Sequence, residues 1–148
     1  MRYSQTERST FQTKDTILRS FEDLDAWQVC RDLRNGMATL ARTFPKEEKY
    51  RLTDQVIRAS RSVTANLAEG YGRFHYSESI QFARHARGSL YELLDHLTVA
   101  RDEGIVNAEK FQQMRAEVGR AIAVVNGYIR HAKAVKVLPP KPRITNNE

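Results

Sequence analysis

The stretch LTDQVIRASRSVTANLAEGYG, residues 52–72, decides how this chain folds. Its apolar residues recur three or four positions apart, which aligns side chains along one face of an α-helix. They are Leu52, Val56, Ala59, Val63 and Leu67. A polar row repeats beside them at a similar spacing and comprises Arg58, Ser62, Asn66, Glu69 and Arg73. Two unlike faces predict a helix with two unlike neighbours. Gly70 and Gly72 help to end this helix.

The sequence before this stretch predicts a first amphipathic helix. It begins near Asp23 or Asp25, either of which could cap it, and it ends before Pro45 at about residue 42. Its apolar row is Leu24, Trp27, Cys30, Leu33, Met37 and Leu40. Trp27 is the largest apolar side chain available to the core, and we interpret Cys30 as a small buried hydrophobe.

The quoted stretch forms the second helix, and a third follows it. Glu47 and Glu48 suit the first turn of the second helix, because the helix dipole favours negative charge there. Ser77 is the predicted cap of the third helix, and Gly104 ends it. Gly88 leaves room for another backbone to approach. The inward row of the third helix is predicted to be Ile80, Ala83, Leu90, Leu94 and Leu97.

Asn107 caps the predicted fourth helix, which continues through about residue 136. Its apolar row is Phe111, Met114, Val118, Ile122, Val125 and Ile129. Four such helices with short links and no strand pattern predict an all-α fold, an antiparallel up-down four-helix bundle over residues 21–136. Residues 1–20 are predicted to be a flexible N-terminal arm, and residues 137–148 an extended Pro-rich basic tail.

Length and composition exclude several classes of protein. The 148 residues fit one domain that is large enough to bury a core without disulfides or metal. Cys30 is the single cysteine, so the chain has no disulfide framework and fits a reducing cytoplasm. Residues 1–20 are too polar for a secretory signal, and no apolar run reaches the roughly 18 residues that cross a bilayer. We therefore expect no membrane association.

The formal net charge of +6 is unevenly distributed. Residues 21–130 carry 16 basic and 15 acidic side chains, so most of the excess lies at the two ends. The middle of the chain is nevertheless locally basic, because it contains six arginines and only three acidic residues, Asp54, Glu69 and Glu78. These arginines are Arg51, Arg58, Arg61, Arg73, Arg84 and Arg87.

Several separated blocks of the sequence resemble one protein family. They are FEDLDAW, FPKEEKYRLTDQ, RASRSVTANLAEGYGR and ARHARGSLYELLDHLTVARDEG, in that order. Together they resemble the four-helix-bundle family encoded within intervening sequences of bacterial 23S rRNA genes. That family is similar to the accessory variability proteins of diversity-generating retroelements, which are basic, pentameric and associate with nucleic acid and a reverse transcriptase. The resemblance implies a ring-like homo-oligomer, most simply a pentamer, and it implies no established reaction.

The polar row of the second helix has a counterpart in the third helix. If the two helices pack antiparallel, Arg58 could reach Glu92 or Asp95, and Glu69 could reach Arg84 or Arg73. We favour a structural polar network between helices or subunits over a substrate site, with Arg58, Asn66, Glu69 and Glu92 as its members.

No catalytic or metal-binding pattern accompanies these residues. Neighbouring arginines keep Glu69 and Glu92 ionised, whereas an acid or base catalyst needs a pKa near neutrality. The four histidines do not have the spacing of a metal site on a helix. We therefore predict no enzymatic activity, no metal and no cofactor.

Arginine forks bind phosphate oxygens in pairs, and aromatic side chains stack on unpaired bases. The basic middle of the chain, with Phe74, His75 and Tyr76 at the link, is suited to both contacts. Arg61 and Arg73 are favoured because they have fewer acidic neighbours, although a purely structural role for the arginine group stays open. The predicted nucleic-acid-binding residues are Arg51, Arg61, Arg73, Arg84, Arg87, Lys133, Lys136, Lys141 and Arg143.

The sequence thus predicts a non-catalytic, homo-oligomeric nucleic-acid-binding protein that uses phosphate contacts, with RNA favoured over DNA. Five copies would carry a formal charge of roughly +30, which attracts polyanions without reading bases. The alternative is an accessory adaptor that docks a reverse transcriptase and its RNA in a diversity-generating retroelement.

Overall fold

The computed structural model describes residues 20–73 and 75–135. Within these ranges the chain forms four α-helices and no strand, which confirms the all-α prediction. The helices are α1 (Asp25–Ala41), α2 (Leu52–Tyr71), α3 (Tyr76–Asp102) and α4 (Ala108–Val135). Short 3-10 helices lie at Phe21–Asp23 and Lys46–Glu48.

The four helices share one apolar core. Helix α2 packs against α1 and α3, and α4 packs against α3 and α1. All five residues of the apolar row in α2 are buried, as predicted, and so are Trp27, Cys30, Leu33, Met37 and Leu40 of α1. The division into an arm over 1–20, a bundle over 21–136 and a tail over 137–148 stays a prediction, because residues 1–19 and 136–148 lie outside the described residues.

The inward row of α3 differs from the prediction at one position, and that of α4 at two, because Phe111 is half-buried. Leu93 is fully buried, whereas the predicted Leu94 is half-buried. In α4, Ala121 is fully buried and Ile122 is half-buried. Each of these helices contacts two neighbours, so its buried face is wider than a single stripe.

The caps of α1 and α2 differ from the prediction. The Ser20 hydroxyl accepts a hydrogen bond from the Glu22 amide at 3.1 Å, and the Asp23 carboxylate accepts one from the Ser20 amide at 3.3 Å. Ser20 is therefore the N-cap of the 3-10 turn and forms a capping box with Asp23, and α1 itself has no side-chain cap. Glu48 lies in the second 3-10 turn, before α2, and its carboxylate accepts a hydrogen bond from the Leu52 amide at 3.1 Å.

The ends of α3 are defined by backbone geometry. His75, not Ser77, is the N-cap of α3, and no side chain caps this end. Gly104 ends the helix as predicted, with φ of 72°, a conformation that residues with a side chain rarely adopt. The Asn107 carboxamide oxygen accepts a hydrogen bond from the Lys110 amide at 2.8 Å, which confirms the predicted cap of α4.

Among the described glycines, the tightest contact with another helix occurs at Gly70 and not at the predicted Gly88. A Cβ atom at Gly70 would lie 2.8 Å from the Cβ of Phe82 and 3.2 Å from the carbonyl oxygen of Ser79. Gly88 is exposed, with no atom within 4 Å of the position its Cβ would take. Gly70 therefore allows α2 and α3 to meet near their connection.

Candidate nucleic-acid interface

The described arginines of the predicted interface lie on α2, α3 and their flanking turns. Arg51 immediately precedes α2, and Arg61 is exposed on that helix. Arg84 is exposed on α3, and Arg87 is half-buried one turn later. Lys133 is exposed in the last turn of α4, whereas Lys136, Lys141 and Arg143 lie outside the described residues.

Two of these arginines have partners within the chain. Arg73 Nη2 lies 3.0 Å from Glu69 Oε1, and its guanidinium carbon lies 5.0 Å from the centre of the Phe82 ring. The expectation that Arg73 has fewer acidic neighbours is therefore wrong, since Glu69 sits one turn before it on the same face. Arg87 Nη1 donates a hydrogen bond to Asn126 Oδ1 at 3.0 Å, which ties α3 to α4.

Three arginines have no such partner. Among the described residues, no carboxylate lies within ion-pair distance of Arg51, Arg61 or Arg84. All three side chains are exposed. Their guanidinium groups are therefore open to an anion from outside the chain.

The structure separates arginines that the sequence grouped together. Arg61 borders a cleft between α1 and α2, where its neighbours include Trp27 and Arg34. Arg87 instead contacts α4 through Asn126. Within one chain, the predicted cluster is thus distributed over at least two surfaces.

The predicted ion pairs between helices are wrong for the single chain. Arg58 Nη1 lies 3.5 Å from Asp54 Oδ2, and Glu92 Oε1 lies 3.3 Å from His96 Nε2, so both groups pair within their own helix. Glu69 pairs with Arg73, which was one of its two predicted partners. Residues one turn apart on a helix are neighbours, so these local pairs compete with pairs between helices.

Small polar groups make the contact between α2 and α3 that the ion pairs were expected to make. The hydroxyls of Ser62 and Ser89 lie 2.9 Å apart. Asn66 donates hydrogen bonds from Nδ2 to the Ser62 carbonyl at 2.8 Å and to the Ser62 hydroxyl at 3.1 Å. The predicted network therefore retains Asn66, but it links the helices through hydroxyls.

A cleft on the α1–α2 side is bordered by Arg61. Its volume is about 430 Å³, and its lining comprises Phe21, Trp27, Arg34, Arg61, Thr64, Ala65 and Ala68. Arg34 Nη1 donates a hydrogen bond to Thr64 Oγ1 at 3.0 Å, which fixes that side chain at the cleft.

Sequence reasoning missed the role of Phe21, Arg34 and Thr64 in this cleft. One local signal was present, because Arg31 and Arg34 follow Trp27 by four and seven residues and so share its helix face. Their guanidinium carbons lie 5.3 and 6.0 Å from the centre of the Trp27 ring. The contribution of Phe21 arises from the 3-10 turn, which was not predicted.

Burial shifts the pKa of two described side chains. Burial raises the pKa of the Cys30 thiol to about 12. Burial also raises the pKa of Tyr128, with smaller contributions from Tyr71 and Tyr76. Both groups therefore stay protonated near pH 7. In the described ranges, no three His, Cys, Asp or Glu side chains are grouped as metal ligands, and no helix is long and apolar enough to span a bilayer.

Comparison with known proteins gives a family and a fold. The family profile described as "23S rRNA-intervening sequence protein" matches residues 22–127. A crystal structure of a protein of unknown function from Bacteroides thetaiotaomicron, assigned to the S23 ribosomal protein family, superposes with a TM-score of 0.62. It is 16% identical, and the match covers 71% of this chain and 98% of that one. No curated protein matches.

The structural similarity at this low identity concerns the fold alone, whereas the family match concerns the sequence of most of the chain. It spans α1, α2, α3 and most of α4, including the polar row of α2 and the arginines of α3. The chain therefore belongs to the family of 23S rRNA-intervening sequence proteins.

Proposed function

We propose that this chain is a non-catalytic, homo-oligomeric nucleic-acid-binding protein that contacts the phosphate backbone, with RNA as its preferred ligand. One observation carries the proposal: the six arginines between residues 51 and 87 outnumber the three carboxylates there. Asp54 and Glu69 are already engaged by Arg58 and Arg73. The remaining positive charge is available to an external polyanion.

The chemistry of arginine favours phosphate as that anion. Its planar donors bind two oxygens at once, and each contact releases counterions from the nucleic acid. The arginines lie on more than one surface of the protein. This distribution suits a nucleic-acid backbone that wraps around the protein better than it suits a single compact ligand. The association of the family with 23S rRNA supports RNA over DNA.

The proposed assembly is a ring of antiparallel up-down bundles, most simply a pentamer. Two contact pairs support the antiparallel arrangement of α2 and α3: Ser79 bonds to Gly70, and Ser89 contacts Ser62. The residue number rises along one helix as it falls along the other, as in antiparallel neighbours. Tyr91 is 55% exposed on α3, and a second copy of the chain could cover such an aromatic surface.

Fluorescence anisotropy with labelled RNA tests binding, and light scattering tests assembly. We expect affinity to fall linearly, on logarithmic axes, as the salt concentration rises from about 50 to about 200 mM. We also expect a mass several times the 17.1 kDa of one chain. A monomer would contradict the assembly. Failure to bind RNA at low salt would contradict the function and leave the adaptor that docks a reverse transcriptase as the better hypothesis.

A further inference from the structure

We propose that the cleft between the first 3-10 turn, α1 and α2 receives one unpaired nucleotide of a single-stranded nucleic acid. The inference rests on the proposed function and names the form of nucleic acid that the protein prefers. In this arrangement the base enters the cleft beside Phe21 and Trp27, and its phosphate lies against Arg61 and Arg34.

The size of the cleft fits a ligand of this kind. Its volume of about 430 Å³ lies within the range of roughly 300–1,000 Å³ that small-molecule sites occupy. Ala65 and Ala68 line the cleft with small methyl groups, so the α2 side of the cleft is apolar. A splayed nucleotide can present one base and one phosphate to this cleft, whereas the bases of a duplex are held in its stack.

The charge at the cleft selects an anion. Arg34 and Arg61 both line it, and among the described residues neither lies within ion-pair distance of a carboxylate. The hydrogen bond from Arg34 to Thr64 holds one guanidinium in place and leaves its other donors available. Two arginines without carboxylate partners at one cleft suit a phosphate group.

The aromatic side chains select a planar group beside that anion. The Phe21 ring meets the Trp27 ring edge-on, with centres 5.1 Å apart and planes inclined by 62°. Phe21 is half-buried and lines the cleft. An unpaired base can pack on this ring and on the guanidinium planes, whereas paired bases are shielded by their stack.

Trp27 makes occupancy of the cleft directly measurable, because it is the only tryptophan in the chain. Its emission should be recorded while four ligands are added: a short single-stranded RNA, the same strand with abasic residues, the corresponding duplex, and a nucleoside monophosphate. Anisotropy of the same RNAs, labelled, reports total binding in parallel. We expect the intact single strand to change Trp27 emission, and the abasic strand and duplex to bind without that change.

Two variants and one control assign the signal to the cleft. Ala65→Leu fills the cleft at an exposed helical position without altering charge, and it should abolish the emission change. Arg61→Ala should weaken single-strand binding about tenfold through the lost charged contact. Arg58→Ala removes the same charge from the same helix outside the cleft and should cost less than twofold. Circular dichroism verifies that each variant is folded.

The outcomes separate this inference from the function on which it rests. Salt-dependent binding of RNA with no change in Trp27 emission would overturn the nucleotide cleft and retain phosphate-backbone binding. Equal emission changes with the abasic strand would overturn the role of the base. A monophosphate that binds as tightly as the strand would overturn the requirement for a strand. Absence of binding to every RNA by anisotropy would overturn the proposed function itself.

Discussion

The hydroxyl of Ser79 donates a 2.7 Å hydrogen bond to the carbonyl oxygen of Gly70, where the end of α2 meets the start of α3. Both residues are buried, and Ser79 can reach this carbonyl because Gly70 has no side chain between the helices. The connection between α2 and α3 therefore depends on a close backbone approach as well as on apolar packing.

Gly70→Ala should destabilise the protein, because the new methyl group would lie 2.8 Å from the Cβ of Phe82. We expect a loss of about 1–3 kcal/mol in the free energy of unfolding, measured by urea denaturation. Gly119→Ala is the matched control in α4, where nothing lies within 4 Å of the Cβ position. It should stabilise the helix by up to about 1 kcal/mol. Equal effects of the two substitutions would contradict this account of Gly70.

Leu93→Ala and Leu94→Ala should differ sharply although the residues are adjacent. Leu93 is 0% exposed and Leu94 is half-buried, so truncation of Leu93 should cost about 2–5 kcal/mol and truncation of Leu94 clearly less. Thermal and urea unfolding of both variants measure this difference. A larger loss at Leu94 would contradict the inward row assigned to α3 and indicate that a second copy covers that side chain.

Glu69→Gln should change stability only slightly. Glu69 and Arg73 form an ion pair on one helix with about half of each side chain exposed, and such pairs contribute no more than about 0.5 kcal/mol. Urea denaturation of Glu69→Gln beside the wild type gives the value. A loss several times larger would mean that this pair is buried in the assembled protein, as expected of a polar network between subunits.

Cys30 should make the protein less stable at alkaline pH. Its folded pKa is about 12 and its ordinary value is 9.0, so the folded state keeps a proton that the unfolded state loses. The contribution of Cys30 to the free energy of unfolding is complete below pH 9. It declines as pH rises toward 12, by at most about 1.4 kcal/mol per pH unit. Urea denaturation at pH 8, 9 and 10, with reductant, measures it. Cys30→Ala should remove most of this dependence between pH 9 and 10, and an unchanged slope would contradict a buried protonated thiol.

The helices and their apolar faces were largely predictable from the sequence. Periodicity identifies a buried stripe, and Gly104 and Asn107 carry backbone and capping preferences that act locally. The row in α3 was misassigned at Leu94 because that helix contacts both α2 and α4, which widens its buried face beyond one period.

The polar contacts were less predictable, since they depend on which of several partners a long side chain reaches. Arg58 pairs with Asp54 one turn away rather than with a residue of α3. The cleft requires the 3-10 turn at Phe21 to meet α1 and α2, so no local pattern contains all of its lining. Only the spacing of Trp27, Arg31 and Arg34 indicated it.

Arginines without carboxylate partners should make the phosphate contacts, and the salt dependence of RNA binding by two double variants distinguishes them from arginines that have such partners. Arg61→Gln/Arg84→Gln removes two unpaired charges, whereas Arg31→Gln/Arg58→Gln removes two that have acidic neighbours. Both double variants lower the net charge equally, so they differ only in whether the lost arginines had acidic neighbours. RNA affinity should be measured at several salt concentrations after light scattering verifies equal assembly.

We expect the first variant to flatten the slope of log affinity against log salt by about 0.7–0.9 for each lost phosphate contact. The second variant should keep a slope close to that of the wild type. Equal slopes for the two variants would mean that net charge alone attracts RNA, and a wild-type affinity independent of salt would contradict phosphate binding altogether.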